Sequence, residues 1–179
     1  MSAEGEAMID MEHIKIAFER NVQTLTLRPS IGQKRYVTKV RVRNGLTCDI
    51  EDGPWRLTAD LAKKGGGNEA GPTPGTFGRA ALGSCLAISY VMWAAELEIA
   101  LTWIEVEVQA DADARGMYGV DDVTAGYTEV RYIISLASPA PHADIIRLLD
   151  TAEAHSPYMD VFRRQQALRR IVHISRGEE

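Results

Sequence analysis

The stretch Gly71-Pro72-Thr73-Pro74-Gly75-Thr76-Phe77-Gly78-Arg79-Ala80-Ala81-Leu82-Gly83-Ser84-Cys85-Leu86-Ala87-Ile88 carries the chain from a loop into its longest apolar segment. Residues 63–75 hold so many glycines and prolines that neither helix nor strand fits them, and they read as a flexible linker. A helix is expected to follow, from about Thr76 to Glu98. Phe77, Ala81, Ser84, Ile88, Val91 and Ala95 recur at helical spacing and define the face expected to turn inward, with Cys85 at its edge. The other sides are largely apolar too, so this is expected to be a central helix covered from several directions. A thiol in that place is either a redox nucleophile or a small buried apolar residue.

Upstream of the loop the periodicity is that of strands. Val40 and Val42 alternate with Lys39, Arg41 and Arg43, and Leu46, Cys48 and Ile50 alternate with Thr47 and Asp49, which predicts a hairpin around Asn44-Gly45. A three-residue loop, Arg43-Asn44-Gly45 with Gly45 left-handed, pairs Val42 with Leu46, Val40 with Cys48 and Lys39 with Asp49, and places Arg43 at the tip. Trp55, Leu57 and Ala59 make a third strand. Further upstream, Ile14, Phe18, Val22 and Leu25 predict an amphipathic helix from Met11 to Leu27, stopped by Pro29 and Gly32, after a disordered tail over residues 1–10. Downstream, strands are expected at Trp103–Ala110 and Tyr127–Leu136. Next comes a helix after Pro141 with Ile145, Ile146, Leu148, Leu149 and Ala152 inward, ending near His155. A short helix capped by Ser156-Pro157 and a last strand at Leu168–Ile174 complete the chain. Strands then helix, twice, make an α+β fold. The organisation is residues 1–33 as tail and accessory helix, then one domain over residues 34–179.

Composition excludes several functions. The chain has 179 residues and a formal net charge of −5, with no continuous basic stripe, so nucleic acid is not an expected partner. Met1 to Glu6 is acidic and lacks a signal-peptide pattern, and the run Ala80 to Ala95 is shorter than the ~20 residues of a membrane span. A cytoplasmic protein without a membrane partner is expected. Two cysteines suit neither a disulfide scaffold nor a structural zinc site, and His13, His142 and His173 form no ligand pattern, so no metal and no cofactor are expected. Gly65-Gly66-Gly67 lacks the residues that complete a phosphate cradle.

Gly71-Pro72-Thr73-Pro74 followed by Ala80-Ala81-Leu82-Gly83-Ser84-Cys85 resembles the signature of the OsmC/Ohr family of osmotically inducible and organic-hydroperoxide-resistance proteins, and the resemblance runs from Thr38 to Ser175. It implies an OsmC-like fold, an intertwined homodimer in which antiparallel sheets wrap central helices and the sites lie at the subunit boundary. The N-terminal helix is an addition. It also implies thiol-dependent reduction of organic hydroperoxides in oxidative-stress defence. The peroxidatic cysteine of the family corresponds to Cys85, which would work as a thiolate and need positive charge or a helix N-terminus nearby. The family's assisting arginine corresponds to Arg43, with Arg41 and Arg35 as alternatives.

Two departures shape the expected mechanism. Where the family usually has a second cysteine before a proline, this chain has His155-Ser156-Pro157, and a hydroxyl cannot condense with a sulfenic acid to a disulfide. Where peroxidatic relatives have Asn-Pro-Glu, it has Thr73-Pro74-Gly75, without the carboxylate. A peroxidase built on this chain would use Cys85 alone, with an external thiol reductant, unless Cys48 resolves. The alternative is a non-catalytic module that binds a small apolar or acyl ligand in a cleft lined by Phe77, Trp93 and Tyr158, with Cys85 structural. Ser156 reads either as a helix cap or as the hydroxyl at the resolving position, and His155 as a base near Cys85 or a charge at a helix end.

Overall fold

The computed structural model describes residues 8–175. The N-terminal helix α1 spans Glu12–Leu27 and is followed by a short 3-10 turn at Pro29–Gly32, as Pro29 dictates. Only its first half packs, through Ile14, Ala17 and Phe18. Val22 and Leu25, expected on the inward face, are exposed. Of the tail expected to be disordered, residues 1–7 lie outside the described residues. Ile9 is ordered: its N–H donates to Leu101 O at 2.9 Å, and its side chain packs on Ala94, Ile99 and Leu101.

The three strands β1 (Thr38–Asn44), β2 (Thr47–Asp52) and β3 (Trp55–Ala59) form an antiparallel meander in that order. Its register corrects the expected one by two residues. Val42 pairs with Cys48, Val40 with Ile50, Arg41 with Asp49 and Lys39 with Glu51. Both registers keep apolar residues on one face, but only the observed one also sets each cation opposite a carboxylate. The turn is Gly45-Leu46, with Gly45 at φ +57°, and the extra residue is taken up as a bulge at Arg43. Arg43 is therefore beside the tip rather than at it, and its Nε lies 3.0 Å from Asp49 Oδ2.

The loop after β3 is fixed rather than flexible. Asp60, 2% exposed, accepts hydrogen bonds from the Thr47 hydroxyl at 2.8 Å and from the backbone N–H groups of Leu61, Asn68 and Ala70. Burial works to raise the Asp60 pKa, but these donors together outweigh it and hold the carboxyl below its ordinary value. The loop closes so tightly that a side chain at Gly67 would stand 2.0 Å from the Leu61 carbonyl oxygen, so only glycine fits.

Helix α2 spans Pro74–Glu96, with Thr73 as N-cap and Pro74 in the first turn, where a missing N–H costs nothing. By length and composition it could cross a membrane, a test that the core helix of a soluble protein also passes. Here it packs Leu82, Leu86 and Tyr90 against strand β4 (Trp103–Ala112), strand β5 (Tyr127–Ala137), helix α4 (His142–Ala154) and helix α5 (Pro157–Arg163), with the short helix α3 (Ala114–Tyr118) between the strands. β4 and β5 pair antiparallel, turning Ile104, Val106, Val108, Val130, Tyr132 and Ile134 towards α2. On α4, Leu148 and Ala152 are buried, whereas Ile146 is exposed.

Two sequence expectations fail here. The inward face of α2 is Leu82, Gly83, Leu86, Ser89, Tyr90, Ala94 and Ala95; of the expected stripe only Ala95 is buried, and Ile88 is 60% exposed. Leu168–Ile174 forms no strand and its apolar residues face outward, Leu168 at 95% exposure. A strand needs a neighbour for its backbone groups, and no described strand lies alongside.

Candidate functional site

The exposed side of α2 is the floor of a pocket. Ala81, Ser84, Cys85, Ile88, Ser89, Met92 and Trp93 descend it at helical spacing, and His155, Pro157, Tyr158 and Tyr36 stand opposite, around a cavity of about 730 Å³. Trp93 and Tyr158 thus line it as expected, while Phe77 is not among the lining residues. Ala81, Ser84 and Ile88 belong to the stripe expected from the sequence, whereas Phe77, Val91 and Ala95 do not line the cavity; helical spacing gives a face without saying whether core or cavity covers it. Nothing in the spacing pointed to Tyr36.

Cys85 is half-buried in this wall. Its Sγ lies 3.4 Å from Ser156 Oγ. Ser156 is the N-cap of α5, its oxygen accepting from the Met159 N–H, so the hydroxyl proton is free to point at the sulfur. Ser156 is thus the cap expected from the sequence, and its hydroxyl also stands beside the Cys85 sulfur. His155 Nδ1 is 2.7 Å from Thr151 O; the neutral ring donates there, which leaves Nε2 as its acceptor.

The corner that carries His155 and Ser156 is held by Glu153, one turn earlier. Its carboxylate accepts from the Tyr90 hydroxyl of α2 at 3.1 Å and the Tyr132 hydroxyl of β5 at 2.8 Å, and lies 3.4 Å from Arg163 Nη2. Burial first, and the adjacent Glu153 second, push both tyrosine pKa values up, so both phenols remain donors. This knot was not legible in the sequence, because it joins residues from four elements.

The other expected participants lie elsewhere. Cys48 is a free, half-buried thiol on β2 and does not line the pocket; its Sγ approaches Leu46 O at 3.7 Å. Arg43 sits on the bulged hairpin with Asp49 and does not line the pocket either. Among the described residues, no lysine or arginine of this chain lines the cavity, and no group of three His, Cys, Asp or Glu residues is placed to hold a metal ion. At the head of α2 the Gly75 carbonyl accepts from the Tyr127 hydroxyl at 3.1 Å, and Arg79 Nη1 is 3.4 Å from that hydroxyl.

Residues 65–169 match the OsmC-like protein family. No curated protein matches the chain. Among solved structures, an OsmC-like protein from Mycoplasma pneumoniae superposes with a TM-score of 0.64 at 15% identity, covering 73% of this chain and 89% of that one. An OsmC-like protein of unknown function from Vibrio cholerae reaches 0.56 at 10% identity, covering 72% and 94%. An organic hydroperoxide resistance protein from Legionella pneumophila reaches 0.51 at 14% identity, covering 73% and 90%.

Proposed function

The chain belongs to the OsmC-like protein family, and from that premise we propose that it is a thiol peroxidase of organic hydroperoxides whose cycle runs through Cys85 alone. The observation that carries this reading is the 3.4 Å approach of the Ser156 hydroxyl to the Cys85 sulfur at the wall of an apolar cavity. The thiolate attacks the outer peroxide oxygen, the O–O bond breaks, and the alkoxide takes up a proton and leaves as the alcohol. Cys85 becomes a sulfenic acid, and the Ser156 hydroxyl is in place to donate to it. An external thiol then attacks the sulfur, releasing water and leaving a mixed disulfide. A second thiol attacks that disulfide, restoring Cys85 and leaving with the oxidised pair. The reductant is a small cytoplasmic thiol, and the role is defence against oxidants.

We place the working protein as a homodimer. One face of the β1–β2–β3 sheet presents Val40, Val42, Ile50, Leu57 and Trp55, mostly exposed, and among the described residues no helix packs closely over it. Apolar surface of that extent marks a partner site. A second copy would cover it, give Leu168–Ile174 a neighbour, and bring Arg43 to a pocket that has no cation of its own. Sedimentation of the wild type and of Val42→Asp tests the dimer, with a monomeric wild type counting against it. For the chemistry, the wild type in a Cys48→Ser background should consume cumene hydroperoxide with dithiothreitol and trap dimedone at Cys85. Cys85→Ala should do neither. Unchanged consumption by Cys85→Ala, with Cys85 alkylated only on unfolding, would leave a binding module instead.

A further inference from the structure

The N-terminal helix lies outside the residues that match the family, yet it packs on a residue of the pocket wall. Phe18 meets Trp93 edge to face, ring centroids 5.1 Å apart and planes at 68°. Trp93 in turn lies against the His155 ring, 4.7 Å away and tilted by 39°. Trp93 and His155 both line the cavity, and His155 directly precedes the serine that touches Cys85. Three rings thus run from α1 to the reactive corner.

The helix is anchored so that this contact holds. Ile9 and Met11 pack on the cluster of Ala94, Ile99, Leu101 and Leu148, the Ile9 N–H is bonded to Leu101 O, and Lys15 pairs with Glu98 just past the end of α2. Beyond α1 the chain runs back to the cavity, where Tyr36, 84% exposed, stands at its edge. Residues 8–36 therefore brace one wall and furnish part of another.

We propose that this N-terminal segment sets the selectivity of the Cys85 pocket, favouring aromatic tails: Phe18 positions the Trp93 ring, and Trp93, Met92 and Tyr36 form the surface on which an aryl group rests. Rings pack favourably in offset or edge geometry, and a thioether adds a soft contact at a ring edge. Neither helps a small aliphatic or a polar tail. The chemistry of the ligand rests on the peroxidase reading above, but the selectivity of the wall does not, since any electrophile that reacts with Cys85 in this cavity does so beside that wall.

The test uses the full chain with Cys48→Ser, so that Cys85 is the one thiol. Alkylation rates with N-ethylmaleimide and N-(1-pyrenyl)maleimide are compared for the parent, Phe18→Ala, Phe18→Tyr and Tyr36→Ala. The expected result is a pyrenyl-to-ethyl rate ratio that falls about threefold or more in Phe18→Ala and Tyr36→Ala and that is retained in Phe18→Tyr. A ratio within 1.5-fold, about the scatter of such rates, in a folded variant overturns the proposal, as does a parent that prefers the ethyl probe with no response to either alanine. If Phe18→Ala fails to fold, Tyr36→Ala decides. A shifted ratio without peroxide consumption sinks the peroxidase reading and leaves the wall intact. Consumption with an unmoved ratio does the opposite.

Discussion

Restoring a thiol at the corner tests the geometry of the site directly. In Ser156→Cys, with Cys48→Ser, the new sulfur replaces an oxygen that lies 3.4 Å from Cys85 Sγ. A disulfide needs about 2.0 Å, so the pair must close by about 1.4 Å. Before oxidation the variant should be less stable by about 1 kcal/mol, because it loses the oxygen that caps α5. After oxidation it should be more stable, since the link closes a loop across 71 residues. Chain entropy puts that constraint at about 4 kcal/mol, a rise in melting temperature of roughly 10 °C over the reduced form. The assay is one equivalent of cumene hydroperoxide followed by alkylation, mass spectrometry and calorimetry with and without dithiothreitol. Loss of both free thiols and a reductant-sensitive rise in melting temperature are expected. If the sulfenic acid persists at Cys85 while the introduced thiol stays alkylatable, and the melting temperature is indifferent to oxidation, the corner is not where the structure puts it.

Asp60→Asn should lower the melting temperature at neutral pH, since a carboxylate that accepts from Thr47, Leu61, Asn68 and Ala70 gives way to an amide with a misplaced donor. The folded pKa is below the unfolded one, so this stabilisation is full above the ordinary carboxyl value and is lost as pH falls through the folded value. The gap between wild type and variant should therefore narrow below about pH 4, and a gap independent of pH down to about pH 2 would contradict the assignment. Tyr90→Phe keeps the buried ring but removes its bond to Glu153, and should cost about 1.5 kcal/mol in chemical denaturation. It should also slow Cys85 alkylation or peroxide turnover only modestly, because Tyr132 still holds Glu153.

The sequence carries what depends on local pattern. Elements α1, β1 to β5, α2, α4 and α5 all follow from periodicity, caps and breakers, and Ser156-Pro157 announces its helix start in two residues. It fails where a choice depends on distant partners. Two hairpin registers satisfy the same alternation, and the opposing charges of Arg41 with Asp49 and Lys39 with Glu51 decide between them. Leu168–Ile174 has the composition of a strand, but no strand among the described residues lies alongside to complete one. Cys85 and Ser156 are 71 positions apart, and the family signature joins them where spacing alone does not. Tyr36 and the Glu153 knot carry no local signal at all.

The placement of Cys85 has a consequence for how such a protein changes over time. It lies near the middle of a 23-residue helix, where the positive end of the helix dipole, confined to the first turn, gives a thiolate no help. Leu82, Leu86, Tyr90 and Ala94, on one side of α2, carry the core, while Ala81, Cys85, Ile88 and Met92, on the other, line the cavity. Substitutions on the first side cost stability, whereas those on the second can alter chemistry at little structural expense. Fold and chemistry are thus divided between two faces of one helix, so a lineage can alter the Cys85 face, or abandon turnover there, without rebuilding its core.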